Sequence, residues 1–143
     1  DDAPVGKLYN LRGASRTDFY VPDFFQTMDF YEFTGDKYAS LFLTFTPFWS
    51  PINTPLSKPE FSFHQNIGYS DINNAESHQI VEVTPARQGF FESGVSVNNL
   101  LRLNYLDIAY YGVGFGVFYR YGEYAFSKAI DNLAWKINFS FSL

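Results

Sequence analysis

The sequence predicts an all-β, antiparallel fold, and three properties of the chain predict it. Apolar and polar residues alternate with a period of two in several segments, and no segment shows the period of a helix. Aromatic residues make up 21% of the 143 residues, whereas charged residues make up 17%, below the ~25% typical of soluble domains. The mean hydropathy is nonetheless close to neutral, at −0.16. A transmembrane β-barrel combines these properties, because its strands alternate between lipid and interior and the averages cancel.

The last segment of the chain has the clearest alternation. From residue 133 to residue 143 every second side chain is apolar, and the residues between them are polar or small. This pattern predicts a strand with one apolar and one polar face. The apolar set also has the form of a C-terminal signal for outer-membrane insertion, and it comprises Trp135, Ile137, Phe139, Phe141 and Leu143. The alternative for this segment is the last strand of a soluble sandwich or barrel.

The first half of the chain predicts three strands. Residues 26–33 and 38–46 alternate, and Gly and Asp in the turn between them supply the backbone angles of a hairpin. Prolines then recur at every fourth residue over residues 47–59. Because proline cannot donate to a ladder, this stretch is predicted to be a connection. Residues 61–70 alternate again and predict the next strand.

The second half predicts further strands separated by polar loops. Residues 91–98 alternate, Asn98-Asn99 predicts a turn, and alternation resumes over residues 101–120. Asp107 falls on the apolar side of that long run, so a bulge or break is predicted near residues 106–108. Residues 71–88 and 121–131 are predicted to be loops, with a candidate short strand at residues 80–83.

These segments give about six strands, which we interpret as one barrel segment spanning residues 1–143. Residues 1–23 are a predicted connector, and residues 24–143 supply the barrel strands and loops. Single-chain bacterial barrels have at least ~8 strands. Either residues 1–20 and 78–84 hide two more strands of a small barrel, or the chain is the C-terminal part of a larger barrel. We favour the second interpretation.

Composition excludes several classes of function. The net charge is −5 and the basic residues are scattered, which argues against nucleic acid as a partner. The chain has no cysteine, so it forms no disulfide, thiolate nucleophile or Cys-based zinc site. No stretch approaches the ~20 apolar residues of a transmembrane helix. Its first residues do not form a secretory leader, so a membrane barrel of this sequence would be a mature chain or a piece of a longer one.

Charged and polar residues on the predicted polar faces are the candidate functional residues. They are the lumen-facing candidates Asp29, His64, Glu92, Arg102 and Lys136, joined by Arg120. One interpretation is a charged lumen that selects solutes. The other, which we favour, is a network of ion pairs and hydrogen bonds that fills a narrow barrel interior. The glycines among residues 112–116 are predicted to leave room there for a neighbouring side chain or a plug.

No motif in the sequence predicts catalysis. His64 and His78 are the two histidines and do not form a metal-binding motif. Asp29 and Glu92 are candidate paired carboxylates, but nothing in the sequence fixes their separation. The glycines of residues 112–116 lack the dinucleotide-binding spacing, and Ser93 is not in a nucleophile elbow. We therefore expect no enzymatic activity, no catalytic residue, no metal and no cofactor.

Three segments carry a family resemblance, in the order residues 25–43, residues 91–105 and the terminal strand. The sharper parts are Asp36-Lys37-Tyr38 and the run from Asn98 to Arg102. They resemble the C-terminal region of a Gram-negative outer-membrane β-barrel family of unknown function. Its members usually carry an N-terminal carboxypeptidase-regulatory-like domain. The resemblance implies that further barrel strands and that domain lie outside these residues, and it transfers no catalytic residue.

The sequence thus predicts a structural role, as the closing C-terminal wall of a barrel in the outer membrane of a Gram-negative bacterium. The expected partners are the lipid bilayer, the outer-membrane insertion machinery, and the remaining strands of the barrel or other subunits of a membrane assembly. The apolar faces are expected to point outward and the C-terminus to lie on the periplasmic side. The alternative is a soluble barrel that binds a small ligand, with the apolar faces turned inward.

Overall fold

The computed structural model describes residues 8–73, 84–106 and 108–142, and this part of the chain is all-β. No helix in these ranges is long and apolar enough to cross a membrane. A 3-10 turn spans Ala129–Asn132. The strands are β1 (Tyr9–Asn10), β2 (Thr34–Gly35), β3 (Lys37–Phe45), β4 (Glu60–Asp71), β5 (Phe90–Tyr105), β6 (Ala109–Tyr121) and β7 (Leu133–Ser142).

Strands β3 to β7 form one antiparallel sheet in which each strand pairs with its neighbours in sequence. The short strands β1 and β2 form a separate antiparallel pair. The predicted all-β, antiparallel fold is confirmed. The large sheet has five strands where the sequence predicted about six in all, and within the described ranges it is open, with β3 and β7 as its edges.

The prediction of a strand over residues 26–33 is wrong. This segment consists of bends and turns. Several of its backbone amides bond to side chains: those of Gln26 and Thr27 donate to Glu92, and that of Asp29 donates to Glu32. The apparent alternation was too short to distinguish a strand from a loop whose apolar residues are buried at irregular spacing.

The predicted turn at Asn98-Asn99 is also wrong, because β5 continues through it. The register of β5 against β6 shifts between Val97 and Leu101, which marks a bulge. Asn99 has a φ of 55°. Asparagine tolerates this left-handed conformation in bulges as well as in turns, so the dipeptide did not distinguish the two. The break predicted near residues 106–108 is confirmed: β5 ends at Tyr105, β6 begins at Ala109, and the Ile108 N–H donates to the Tyr105 carbonyl at 3.1 Å. Asp107 itself lies outside the described ranges. The candidate strand at residues 80–83 lies outside the described ranges.

Residues 8–36, which we call the cover segment, lie across the polar face of the sheet. Its apolar side chains form the hydrophobic core of the described fold together with residues at one end of the sheet. Phe25 and Phe90 meet edge to face, with ring centroids 5.2 Å apart. The core residues are Leu11, Phe25, Met28, Phe33, Ala86 and Phe90, all at most 2% exposed.

The opposite, apolar face is uncovered. Burial alternates along the central strands, so that Ser62 and Asn66 on β4 are buried while Phe63 and Tyr69 are exposed. Of the side chains that the alternation predicts to point outward, Phe61, Val97 and Val117 are half-buried, and the exposed ones are Leu41, Leu43, Phe63, Val95, Val113, Phe115, Ile137 and Phe139. The exposed side chains of this uncovered face include Leu41, Leu43, Phe45, Phe63, Tyr69, Val95, Leu101, Leu103, Tyr111, Val113, Phe115, Tyr119, Trp135, Ile137, Phe139 and Phe141.

The connections fall into two groups, one at each end of the sheet. The turn before β3, the β4–β5 connection and the β6–β7 connection lie at one end, because the sheet is an up-and-down meander. The proline-rich connection of residues 46–59, the β5–β6 connection and the end of β7 lie at the other. Counting strands back from the end of the chain predicts the same grouping, with a turn at Asn98-Asn99 in the place that the β5–β6 connection takes.

Candidate functional site

Glu92 on β5 is the centre of the covered polar face. It is 0% exposed, and four donors surround its carboxylate. The backbone N–H of Gln26 donates to Oε1 at 3.0 Å, and Asn66 Nδ2 donates to the same oxygen at 2.8 Å. The backbone N–H and the hydroxyl of Thr27 each donate to Oε2 at 2.6 Å. The carboxylate thus binds one turn of the cover segment to the middle of the sheet.

Gln26 shapes the turn that Glu92 binds. Its Nε2 donates to the carbonyls of Val21 and Phe24, at 2.7 Å each. Its Oε1 accepts from the Val21 N–H at 3.3 Å. These bonds are local, and Gln26 is fully buried. They therefore fix the conformation of the loop that presents the backbone N–H groups of Gln26 and Thr27 to Glu92.

Arg120 on β6 is a second anchor of the cover segment. It is 2% exposed, and its guanidinium forms a two-pronged ion pair with the Glu32 carboxylate. Its Nε donates to the Tyr124 carbonyl at 2.7 Å. The guanidinium carbon lies 4.9 Å from the ring centre of Phe90 and 4.3 Å from that of Phe126, within cation–π distance. Arg120 therefore joins the cover segment to the β6–β7 connection.

Lys136 on β7 is a third anchor. It is 1% exposed, and its ammonium group donates to the backbone carbonyl of Ala14 at 2.7 Å and to that of Thr17. Glu92, Arg120 and Lys136 lie on three consecutive strands, and each binds a different part of the cover segment. Buried charges are costly unless they are paired and hydrogen-bonded, so these contacts fix where the segment lies.

His64 on β4 lies beneath the cover segment in a chain of hydroxyl groups. Its Nδ1 is 3.0 Å from Thr44 Oγ1 on β3, and its Nε2 is 2.9 Å from Ser96 Oγ on β5. The rings of Tyr20 and Phe118 pack against it, with centroids 5.5 Å and 5.2 Å away. A serine beside a histidine is a nucleophile–base pair only when a third group orients the base and substrate has access. Here that third group is a threonine hydroxyl, and both Ser96 and His64 are buried.

Glycines on the covered face make room for neighbouring groups, as the sequence predicted. A Cβ on Gly112 would lie 2.0 Å from the Asn99 side chain, and one on Gly116 would lie 3.2 Å from the Phe118 ring. At Gly114 the close neighbour is the β5 backbone. The tightest ring contact is on β5, where a Cβ on Gly94 would lie 2.3 Å from Phe118.

The other end of the polar face holds a second set of polar contacts, around the β5 bulge. Asn99 Nδ2 donates to Glu60 at 3.2 Å, and Ser140 Oγ donates to Asn99 Oδ1 at 2.5 Å. Arg102 lies beyond them, half-buried, with its guanidinium 4.2 Å from the ring centre of Tyr110. Arg102 is therefore separate from the three anchors of the cover segment.

Asp29 is not on a strand face, which corrects its predicted position. It lies in the cover segment, because residues 26–33 form a loop, and its carboxylate binds Arg16 of the same segment. Arg16 Nη2 donates to Oδ2 at 2.8 Å, and Arg16 Nε lies 2.6 Å from Oδ1. This hydrogen bond holds the pKa of Asp29 below its ordinary value. Asp29 and Glu92 therefore bind different partners, Arg16 for the first and the donors of Gln26, Thr27 and Asn66 for the second.

The residues of the predicted insertion signal lie on the uncovered face of β7. Trp135, Ile137, Phe139 and Phe141 are all exposed, and Leu143 lies outside the described ranges. The Trp135 ring stacks on Phe115 of β6, with centroids 5.4 Å apart. These side chains and Lys136 thus point to opposite faces of one strand.

The arrangement can hold a segment of chain in place; its chemistry is that of ion pairs, hydrogen bonds and aromatic packing. Within the described ranges, no three His, Cys, Asp or Glu side chains come together as a metal site. A cavity of about 400 Å³ lies between the cover segment and β7, and Lys136 forms part of its wall. Sequence reasoning did not find Gln26, Thr27 or Glu32 as partners of the anchors. These contacts join residues 65 and 88 positions apart, and no local pattern encodes them.

Comparison with known proteins leaves the family open. No family model matches the chain, and neither a curated protein nor a solved structure matches it. The resemblance to an outer-membrane barrel family therefore stays a prediction, and function is inferred from the geometry.

Proposed function

We propose that this chain forms part of the wall of a β-barrel in the outer membrane of a Gram-negative bacterium. In this proposal the uncovered face meets lipid, and the cover segment fills the interior beside the wall. The observation that carries the proposal is the contrast between the two faces of β3 to β7. The polar-face residues of β4, β6 and the first half of β5 are mostly buried under residues of the same chain, whereas β3 is exposed on both faces and the apolar face is bare across all five strands.

The uncovered face suits lipid better than water. Soluble monomers rarely expose contiguous apolar patches larger than a few hundred Å². Here exposed aromatic and aliphatic side chains also pair across strands, as Phe45 does with Phe63 and Tyr111 with Phe141. A soluble ligand-binding barrel would need these side chains to point inward, against the cover segment.

The polar exception on the uncovered face also fits an apolar solvent. Gln65 interrupts the apolar pattern of β4, and its Oε1 accepts hydrogen bonds from Ser93 Oγ at 2.7 Å and from the Tyr121 hydroxyl at 3.1 Å. Its Nε2 donates to the Glu92 carbonyl at 3.3 Å. In a bilayer each polar group must find its partner within the protein, and Gln65 does so.

The role we propose is structural. The two open edges of the sheet support an incomplete wall that needs the remaining strands of the same barrel or of a membrane assembly, because unpaired backbone groups are costly in lipid. The buried anchors support a filled interior and not an open, solute-selecting pore beside this wall. We further propose that the exposed apolar residues of β7 are what the insertion machinery recognises.

Membrane fractionation tests this proposal. The protein, fused to an export signal and expressed in a Gram-negative host, should sediment with the outer membrane, resist extraction by high salt and carbonate, and dissolve only in detergent. Two matched variants test the uncovered face. Phe139→Asn should reduce the amount of protein in the outer membrane, whereas Ser140→Asn should reduce it less, since only the first changes the uncovered face. A protein that stays in the periplasm without detergent would contradict the proposal and favour a soluble binding module.

A further inference from the structure

The free edge of β7 is partly occupied by the same chain. On one side, β7 pairs with β6 along its whole length, from Leu133↔Tyr119 to Ser142↔Tyr110. On its other side, the backbone bonds of the described residues centre on Ile137. The Ile137 N–H donates to the Asp18 carbonyl at 2.7 Å, and its carbonyl accepts from the Tyr20 N–H at 3.0 Å.

These residues of the cover segment, Asp18–Tyr20, form what we call the edge strap. The strap passes around the edge of the sheet, because Phe19 lies on the uncovered face while Tyr20 packs on the covered face against His64. The Phe19 ring is 51% exposed and lies 5.7 Å from the Phe139 ring. The strap therefore crosses the position that a neighbouring strand would take.

The direction of the strap shows that it is not a strand of this sheet. Its bridge to Ile137 is parallel, whereas the neighbouring strands of the sheet from β3 through β7 all pair antiparallel. It is also a single bridge, and the cavity of about 400 Å³ opens beside it along the start of β7. The strap satisfies the backbone of one residue and leaves room for a longer ladder.

The direction of the strands also excludes β3 as the natural neighbour of β7. In a five-stranded meander the first and last strands run the same way, so β3 and β7 point toward the same end. If the sheet curled onto itself, β3 would meet β7 in parallel. A second copy of the chain, inserted in the same orientation, would also place its β3 parallel to β7.

We infer that the free edge of β7 is a closing seam, whose occupant is an antiparallel strand of the same protein from outside β3–β7, and that the edge strap holds this seam until that strand pairs. The inference rests on the proposed function. It also constrains the remaining strands of the barrel, because an antiparallel barrel needs a strand that runs opposite to β7 at one edge of the sheet and a strand that runs opposite to β3 at the other edge. The remaining wall therefore contains an odd number of strands, so that the total is even, as in bacterial single-chain barrels.

A disulfide that locks the strap tests this inference. The chain has no cysteine, so Phe19→Cys with Ile137→Cys introduces one pair at bridge partners on the same face. Bridge partners lie within the Cα separation that a disulfide allows. The matched control is Ala39→Cys with Tyr69→Cys, which are register partners between β3 and β4 and should leave both seams free.

Assembly is read as a compact, heat-modifiable, protease-resistant form of the protein encoded by the complete gene, in outer membranes. The oxidised strap pair should lose nearly all of this form, and reductant should restore it, while the control pair assembles in both states. Failure of the introduced strap disulfide to form, or normal assembly of the oxidised pair, would overturn the inference. So would a heat-modifiable species of two copies formed by residues 1–143 alone. If the unsubstituted protein has no such form in membranes, the proposed function fails first and the inference falls with it.

Discussion

The two faces of the same five strands differ in how they are stabilised. On the covered face, three buried charged residues, Glu92, Arg120 and Lys136, each bind a specific part of the cover segment. On the uncovered face, the side chains pack mainly against neighbours on the adjacent strands, as Phe115 does with Trp135. Directional contacts thus dominate one face and apolar contacts the other. The structure of the covered face depends on individual residues, whereas that of the uncovered face depends on its overall apolar composition.

This difference predicts how the two faces respond to substitution. A change at one anchor of the covered face should be costly even when it is chemically mild, because it leaves buried donors or acceptors unpaired. A change on the uncovered face should matter only when it alters polarity, because any apolar side chain serves as well there.

Loss of the Glu92 carboxylate should have the largest effect. Glu92→Ala removes the acceptor of four hydrogen bonds and leaves the backbone donors of Gln26 and Thr27 buried without partners. Removing one partner of a buried, hydrogen-bonded charged group costs ~3–5 kcal/mol, so a loss of about 4 kcal/mol is expected. Denaturant titration of the assembled protein in micelles measures it. The control, Glu123→Ala in the exposed β6–β7 connection, should change little; equal losses in the two variants would contradict the role of Glu92.

A charge on the uncovered face should have the next largest effect. Phe115→Arg places a guanidinium where we propose the middle of the bilayer to lie, at a cost of about 2–4 kcal/mol. Phe115→Leu should cost far less, because it keeps the apolar surface. Unfolding titrations in lipid vesicles compare the two. An arginine tolerated in vesicles as well as leucine would contradict lipid contact at this face.

A methyl group at Gly94 should have an intermediate effect. Its Cβ would lie 2.3 Å from the Phe118 ring, which is fully buried and packed against Tyr20 and His64. Overpacking of this kind costs about 1–3 kcal/mol. Gly116→Ala is the matched control, since its Cβ would approach the same ring at 3.2 Å. Equal stability of the two variants would show that the Phe118 ring moves freely.

The smallest effect should be the acid sensitivity from Asp29. Arg16 lowers the pKa of Asp29 in the fold, so the ionised carboxylate stabilises the folded state above the unfolded pKa of ~3.9. That stabilisation is lost as the pH falls through the folded pKa. Both side chains are largely exposed, so the change is small. Unfolding curves of Asp29→Asn and the unsubstituted protein should differ at neutral pH and converge as the pH falls through the lowered folded pKa; a difference that grows on acidification would contradict the sign.

The strands and their faces were largely predictable from the sequence, because alternation is a local property. The regular run of β7 and the repeated small–large pattern of β6 assign each side chain to a face. The turn predicted at Asn98-Asn99 is instead a bulge, although Asn99 and Leu106 have similar positive φ values of 55° and 54°. A short sequence does not determine which of them reverses the chain.

The cover segment was not predictable, because its position depends on contacts between distant residues. Glu92 was identified as a polar-face residue, but its partners Gln26 and Thr27 lay in a segment predicted to be a strand. Lys136 binds backbone carbonyls, which carry no sequence signal. Arg120 finds Glu32 across 88 positions, and no periodicity connects the two.

Labels at two adjacent residues of β7 test the central claim most directly. Phe139 and Ser140 lie at nearly the same depth but on opposite faces of one strand, and the chain has no cysteine to interfere with labelling. Fluorophores on Phe139→Cys and Ser140→Cys are compared in the protein reconstituted into vesicles whose acyl chains carry bromine. Lipid contact at the uncovered face predicts strong quenching of the label at residue 139 and weak quenching at residue 140. Equal quenching of both labels, or stronger quenching at residue 140, would contradict the assignment of the uncovered face to lipid.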